Sequence, residues 1–349
     1  METPVLIDNR MANTRSSSRR WTTLLRAAVS LGLLGFFFLR MDWGRFLAIL
    51  AQARWSLIAA AALLHWLTVV PSVLRWRAIV RSFGMRTPAG GLFRICMIGY
   101  FFNLLLPSAI GGDLARAYYL AKRERQGLTT ALTTTAVDRL AGLSAMLLIA
   151  LTANLLWPAR IGSWSATPLL LGLTGGFALI LFSLFHPWSH RLWERILGRF
   201  GMPGVMERFD RITEGLQTLR SNLGPVLLVI AASLAIQLTV IVALWLVARS
   251  VGVVGPFALF LVFIPLVNLS VAVPLTINGM GVREAMYYFL FSSLGVGMET
   301  AVTLSLLNLA VVAATALPGG IVYSLYKGSA EFPAGLQVEE NSTPMIRHR

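Results

Sequence analysis

Six stretches of this chain run for about 20 residues with few charges, long enough to cross roughly 30 Å of hydrocarbon as helices. They are Trp21–Leu39, Ser56–Ile79, Val137–Trp157, Ala166–Phe185, Leu223–Val247 and Thr300–Tyr326. A chain with so many such runs takes the bilayer as its solvent. Only 13% of its 349 residues are charged and 56% are hydrophobic, against about 25% charged in soluble domains. Because lipid offers no hydrogen bonds to exposed backbone, the fold expected is an all-α polytopic membrane protein.

Two further apolar stretches, Leu92–Leu106 and Pro256–Leu275, each run into a Pro/Gly interruption and then a short amphipathic segment. The interruptions share one grammar. Pro107, Ile110, Gly112 and Arg116 recur as Pro274, Ile277, Gly279 and Arg283, each displaced by 167 positions. Paired broken segments in corresponding halves of a membrane protein point to a transport site, because broken helices free backbone groups to hold a polar substrate. The backbone breaks are assigned to Pro107, Gly111 and Gly112 in one half and to Pro274, Gly279 and Gly281 in the other. The expected architecture is six full spans plus two re-entrant or broken elements arranged as an inverted repeat. The alternative is two kinked full spans and eight crossings.

Charge gives the orientation. The formal net charge is +15, nearly all of it arginine, and in a membrane protein basic residues collect in cytoplasmic loops. Four groups hold the larger share: Arg10 to Arg20, Arg75 to Arg94, Arg116 to Arg125, and Arg191 to Arg220. Placing them in the cytoplasm leaves Arg40, Arg45, Arg54, Arg160 and Arg249 outside, a split of 19 to 5. The count is self-consistent when Leu92–Leu106 enters and leaves from the cytoplasm and Pro256–Leu275 from the outside. Both termini are then cytoplasmic, and a charge of this sign is explained by lipid rather than by nucleic acid.

Acidic residues in or beside apolar sequence are few, and ionisable groups at membrane depth are functional candidates. Asp113 and Arg116 follow Gly111-Gly112 at helix spacing, where Asp113 could cap a helix running to Leu120 and Arg116 offers a fork suited to phosphate. A half-helix N-terminus would add unpaired N–H groups for an anion. Arg283 and Glu284 repeat the arrangement after Gly279 and Gly281. Asp138 and Arg139 open the third span and point about 100° apart, so that one could face Arg116 while the other reaches the headgroups. Arg75-Trp76-Arg77 reads as an interface anchor, with Arg75 also a candidate for substrate. The lipid-phosphate ligand set is therefore Arg75, Asp113, Arg116, Asp138, Arg139, Arg283 and Glu284. For each of these a plain cap, anchor or snorkelling role stands beside the functional one.

Other chemistries find little support. No phosphate-cradling Gly-x-x-x-x-Gly-Lys-Ser/Thr loop occurs, so ATP is not the obvious energy source. Cys96 is single, which rules out an intrachain disulfide. His65, His186, His190 and His348 lack metal-ligand spacing and read as bystanders. No cofactor, metal or catalytic residue is nominated. A cleaved leader ending at Ala51-Gln52-Ala53 is set aside because Arg40, Asp42, Arg45 and an apolar segment separate it from the first run. Asn341-Ser342-Thr343 falls on the cytoplasmic side and is an accidental glycosylation match.

Taken together, Leu74-Arg75-Trp76, Asn103 to Arg116, Val137-Asp138-Arg139-Leu140, Pro265, Pro274, Gly279-Met280-Gly281-Val282-Arg283-Glu284 and Pro318-Gly319-Gly320 carry a resemblance. The chain resembles the membrane region of the lysylphosphatidylglycerol synthase family of flippase-like proteins, across nearly all of residues 21–326. That resemblance implies a polytopic protein of the bacterial inner membrane that moves a polar lipid or lipid-linked precursor between leaflets. Fuller members carry a cytosolic aminoacyl-transferase domain, and the 23 residues after Tyr326 are too few for one, so synthase activity is not expected here.

The domain reading has a cytoplasmic tail over 1–20, a transmembrane domain over 21–326 with halves 21–157 and 166–326, an amphipathic cytoplasmic connector over 186–222, and a second tail over 327–349. Partners expected are a membrane lipid with a phosphate headgroup, a lipid-modifying enzyme on the cytoplasmic side, and further copies of the chain. Two rivals to translocation remain, an intramembrane transferase acting on a lipid phosphate and a non-transporting subunit of a lipid-modifying complex.

Overall fold

The computed structural model describes residues 27–106, 111–185, 223–272 and 276–328, with isolated positions between 193 and 217. Pro107, Ile110 and Pro274, both tails up to residue 26 and from residue 329, and most of the connector lie outside the described residues.

The described chain is almost entirely helical. In order, α1 is Ala27–Arg40, α2 Trp43–Ala51 and α3 Trp55–Ser82. They are followed by α4 Ala89–Leu105, α5 Gly111–Glu124 and α6 Leu128–Leu156. A two-stranded turn pairing Arg160–Ile161 with Trp164–Ser165 leads into α7 Thr167–Phe185. The remainder is α8 Leu223–Ser250, α9 Phe257–Ala272, α10 Val282–Phe291 and α11 Met298–Tyr326. Among the described residues α3, α6, α8 and α11 are long and apolar enough to cross a membrane, and α1, α4, α7 and α9 are shorter apolar helices.

Two expectations need correction. Asp138 and Arg139 do not open a span, because α6 begins ten residues before Asp138, at Leu128. Thr133, Thr134 and Thr135 turn their hydroxyls onto carbonyls of the preceding turn, which lets a threonine-rich lead stay helical and buried. The last helix continues to Gly328, so it overlaps the expected tail.

Prolines shape the long helices. Pro71 would press its ring on the carbonyl of Leu67, and α3 is interrupted at Thr68, whose hydroxyl donates to the His65 carbonyl at 2.6 Å. Pro318 marks the matching interruption in α11 at Leu317.

Both broken elements are helical hairpins. In the first, Gly91 lies against Arg123, Gly99 against Arg116, and Gly112 against Asn103, so α5 runs back along α4. In the second, Gly255 meets Leu294, Phe260 meets Phe291 at 5.3 Å between rings, and Gly279 meets Val271. Glycine serves the two turns differently. Gly111 and Gly112 sit in the first turn of α5, and a Cβ on Gly112 would run into the Gly99 carbonyl oxygen. Their use is close approach rather than the backbone release expected of them. In the second hairpin Asn278, Gly279 and Gly281 have φ of 52°, 73° and 84°, which side chains other than glycine and asparagine rarely adopt.

The repeat extends well beyond four identities. Shifted by 167, α3, α4, α5 and α6 fall on α8, α9, α10 and α11 to within four residues. Packing is reciprocal as well: α6 lies on α9 as α11 lies on α4, and α3 contacts α11 as α8 contacts α6. The equivalent helices α3 and α8 pack antiparallel. The Arg54 N–H donates to the Ser250 carbonyl at 3.0 Å, and 21 residues further on Arg75 Nη1 donates to Ser233 Oγ at 3.2 Å.

Apolar packing concentrates at the two ends. One cluster gathers Ala53, Ala159, Ile161, Val253 and Val296 with the base of the second hairpin. The other gathers Val80, Met85, Leu92, Leu120 and Ala131 with the base of the first. Exposed Trp43, Trp55, Trp157 and Trp164 ring the former end, as an interfacial belt would.

Overpacking a tight contact costs about 1–3 kcal/mol. A Gly99→Val chain is therefore expected to unfold at lower temperature in detergent than wild type. Gly32→Ala, where a Cβ meets nothing within 4 Å, should be neutral, and equal melting of the two variants would contradict the hairpin packing.

Candidate functional site

Asp138 is the residue around which the site is built. It projects from α6 into the interior at 4% exposure, where an unpaired carboxylate would be prohibitively costly. Arg75 of α3 donates from Nε to Asp138 Oδ1 at 2.7 Å, and Arg116 of α5 donates from Nη1 to Oδ2 at 3.2 Å. Each carboxylate oxygen thus has its own guanidinium. The sequence-based reading of Arg75 as an interface anchor is corrected here, since its side chain is buried and forms half of this bridge. Its neighbour Trp76 is fully buried, donates to Thr134 Oγ1 at 3.2 Å, and lies 4.2 Å beneath the Arg116 guanidinium. A desolvated cation over indole is worth about 2 kcal/mol, so Arg116 is held from two sides.

Asp113 is not an N-cap. It pairs with Arg139 and lies 3.8 Å from Arg116, while the Gly112 N–H is capped by Asn103 Oδ1 at 2.9 Å. Arg139, whose side chain is 41% exposed, meets Asp113 rather than standing alone at the headgroups. In this hub three arginines and two aspartates converge.

The second half carries a reduced copy. Arg283 donates from Nε to Ser305 Oγ at 2.7 Å and from Nη2 to Glu284 Oε1 at 3.2 Å. Ser305 in turn donates to Glu284 Oε1 at 2.6 Å, and the other Glu284 oxygen accepts the Gly281 N–H at 2.7 Å. Arg116 reaches Asp138 across 22 residues and Arg283 reaches Ser305 across 22 residues. Ser305 therefore occupies the position of Asp138, and extending the 167-residue offset along the chain would have found it. With serine there instead of a carboxylate, Arg283 takes its counter-charge from its own neighbour.

A cavity of about 410 Å³ joins the two halves. Its lining brings together Arg75, Arg116, Asp138 and Arg283, with Asn103 and Leu104 from the end of α4, Val271 from the end of α9 and Asn278 from the turn after it. Asp113 and Glu284 stand behind this lining as partners of Arg116 and Arg283, and Arg139 pairs with Asp113. The lining also contains Ser72, Tyr100 and Thr315, which no sequence signal singled out, and His65, expected to be a bystander. His65 Nδ1 is 2.8 Å from Thr315 Oγ1. Both half-helix N-termini are engaged by side chains, Gly112 by Asn103 and Gly281 by Glu284. Three guanidinium groups, of Arg75, Arg116 and Arg283, line the cavity.

The charge balance defines what fits. The lining carries three guanidiniums and one carboxylate, an excess of two positive charges. Counting Asp113, Arg139 and Glu284 leaves an excess of one. In a low-dielectric interior such an excess is a strong attractor for an anion, and planar guanidinium forks match phosphate oxygens.

Removing Asp138 takes the close carboxylate partner from two buried guanidiniums, a loss of the order of 3–5 kcal/mol. Ser305→Ala removes one neutral partner and is expected to cost about 1 kcal/mol. Thermal unfolding in detergent should place Asp138→Leu far below Ser305→Ala, and the reverse order would contradict the hub.

Among known proteins, the family described as Lysylphosphatidylglycerol synthase TM region matches residues 23–319. The chain is 25% identical over 348 residues to glycosyltransferase AglD of Haloferax volcanii, covering 87% of this chain and 54% of that protein. It is 23% identical over 333 residues to the UPF0104 membrane protein of Methanothermobacter thermautotrophicus, covering 88% of this chain and 92% of that one. The chain thus spans about half the length of the first relative and nearly all of the second. No solved structure matches it.

Proposed function

This chain belongs to the lysylphosphatidylglycerol synthase transmembrane-region family, and on that premise we propose that it carries a phosphate-bearing lipid or lipid-linked precursor between membrane leaflets by alternating access. The observation that carries the reading is the cationic cavity at the meeting of two helical hairpins. Its 410 Å³ suits a phosphate with part of a headgroup and not a whole lipid, so the acyl chains stay in the bilayer.

In this reading the two halves form an inverted repeat. Support comes from the antiparallel packing of α3 on α8, which are equivalent helices. It comes also from the hairpin bases, which belong to apolar clusters at opposite ends of the molecule. Halves so related rock about the site between them and expose it to each leaflet in turn. The site itself divides into a fixed and an exchanging part. Arg75 and Arg116 are locked on Asp138, and Arg283, leaning on a serine and on adjacent Glu284, exchanges Glu284 for the incoming phosphate. Release restores the Arg283–Glu284 pair, and while phosphate is bound the buried Glu284 keeps its hydrogen bonds from the Gly281 N–H and the Ser305 hydroxyl.

The orientation proposed follows the arginines. Arg77, Arg81, Arg86, Arg94, Lys122, Arg123 and Arg125 lie toward the end that holds the first hairpin base, which is assigned to the cytoplasm, with both termini, in a bacterial plasma membrane. The glycosyltransferase name of one relative favours a phosphate-linked sugar as cargo, with a lipid-modifying enzyme as cytoplasmic partner. A headgroup of net charge −1 would gain about 2.3 kcal/mol per 100 mV of membrane potential, enough to drive outward movement without a nucleotide.

Purified protein reconstituted in liposomes with dithionite-quenchable phospholipids is expected to exchange leaflets. Arg283→Gln should lower that rate about tenfold or more, as the loss of one charge-assisted phosphate contact of at least 1.4 kcal/mol requires. Arg45→Gln, remote from the cavity, should not. Covalent change of the lipid without exchange would move the case to a transferase, and no exchange with any lipid tried to a non-transporting subunit. For orientation, Arg86→Cys and Ser163→Cys in a Cys96→Ala chain are expected to react with impermeant maleimide from opposite sides of sealed vesicles. Labelling of both from one side would overturn the arrangement.

A further inference from the structure

We infer a second anion site at the end of the molecule away from the Asp138 hub, a phosphate-binding pocket built on Arg54 and Arg249. Arg54 leads into α3 and Arg249 sits in the last turn of α8. The Arg54 N–H bond to the Ser250 carbonyl clamps these two helix ends together. Between them lies a pocket of about 300 Å³, walled by Ile49, Gln52 and the 250–254 turn and lined by both arginines.

Three facts give the pocket its chemistry. First, no carboxylate lines it, and the acidic residues of this end are engaged elsewhere: Asp42 with Arg45 at 3.5 Å and Glu299 with the Asp42 N–H at 3.3 Å. Second, Arg249 lies over the Trp245 ring at 5.8 Å, an aromatic contact that limits its freedom without neutralising its charge. Third, the neighbouring Trp55 is 57% exposed, as a tryptophan at headgroup level is. A single snorkelling arginine needs no pocket. Two exposed arginines that line one walled space, one leading into α3 and one in α8, offer paired guanidiniums to phosphate oxygens. The backbone of the turn is already satisfied, with Val251, Gly252 and Val253 N–H groups bonded to the end of α8, so recognition falls to the guanidiniums. The phosphate comes either from a lipid headgroup or from a free phosphate in solution. This inference does not rest on translocation: a chain that never moves a lipid would still bind here.

The test is protection of a cysteine in the pocket wall. Gln52→Cys in a Cys96→Ala chain is placed in nanodiscs of a neutral galactolipid, which lacks phosphate, and its rate of reaction with a soluble maleimide is measured. Phosphatidylglycerol in the nanodisc should slow labelling about fivefold when the pocket is mostly occupied, and Arg54→Gln with Arg249→Gln should restore the fast rate. Slowing by inorganic phosphate in galactolipid nanodiscs would identify free phosphate as the source. Equal rates in all arms, or slowing that survives the double substitution, overturns the site. Should the cysteine chain fold poorly, thermophoresis of the chain with native Gln52 and Cys96 against inorganic phosphate and against phosphatidylglycerol, repeated on the double arginine variant, decides the same question. Binding to neither ligand, or binding unchanged by the double substitution, overturns the site there too. Leaflet exchange measured alongside separates failure of this pocket from failure of the central cavity.

Discussion

One buried carboxylate organises this protein. Asp138 cannot sit ionised inside a helical bundle in lipid without compensation, and both of its oxygens are occupied by arginines from other helices. That requirement ties α3, α5 and α6 at one point. The rest follows by contact: Trp76 packs beneath Arg116, Gly99 stays bare so that the Arg116 stem can pass, and Asn103 caps the helix that carries Arg116. The first hairpin is held by electrostatics at its heart and by glycine-sized gaps along its seam.

The second half solves the same problem differently. Where Asp138 would recur there is Ser305, and the counter-charge for Arg283 comes from Glu284 beside it. In the first hairpin Gly111 and Gly112 lie within the helix, while the second passes through Asn278, Gly279 and Gly281 with positive φ. An anchored half facing a half with a looser arginine is an asymmetry suited to a site that must both hold and release an anion.

Legibility differed by type of feature. Long apolar helices were readable because runs of about 20 apolar residues suit a membrane crossing, and among the described residues α3, α6, α8 and α11 are long and apolar enough for one, although boundaries shifted where threonine could stay helical, as at Leu128. The two interruptions were readable from Pro and Gly, and both prove to be hairpins. Partner choice was readable only in part: one of Asp138 and Arg139 was expected to face Arg116, and Asp138 does. Arg75 looked like a headgroup anchor because it lies seven residues from the end of its helix, and nothing local says that it turns inward. His65 looked idle because the histidines have no metal-ligand spacing, yet it lines the cavity with Thr315.

By itself the sequence determined the solvent, the helical class, the two breaks and the short list of charged residues that must find partners, because hydrophobic length, proline geometry and the cost of burying charge act locally. Only the tertiary structure decided who pairs with whom. Asp113 pairs with Arg139, Asp138 with Arg75 together with Arg116, and Arg283 came to face the same cavity from the other half. Ion pairing in a low-dielectric interior is settled by distances of a few ångströms between helices far apart in the chain, and no spacing along one helix encodes those distances.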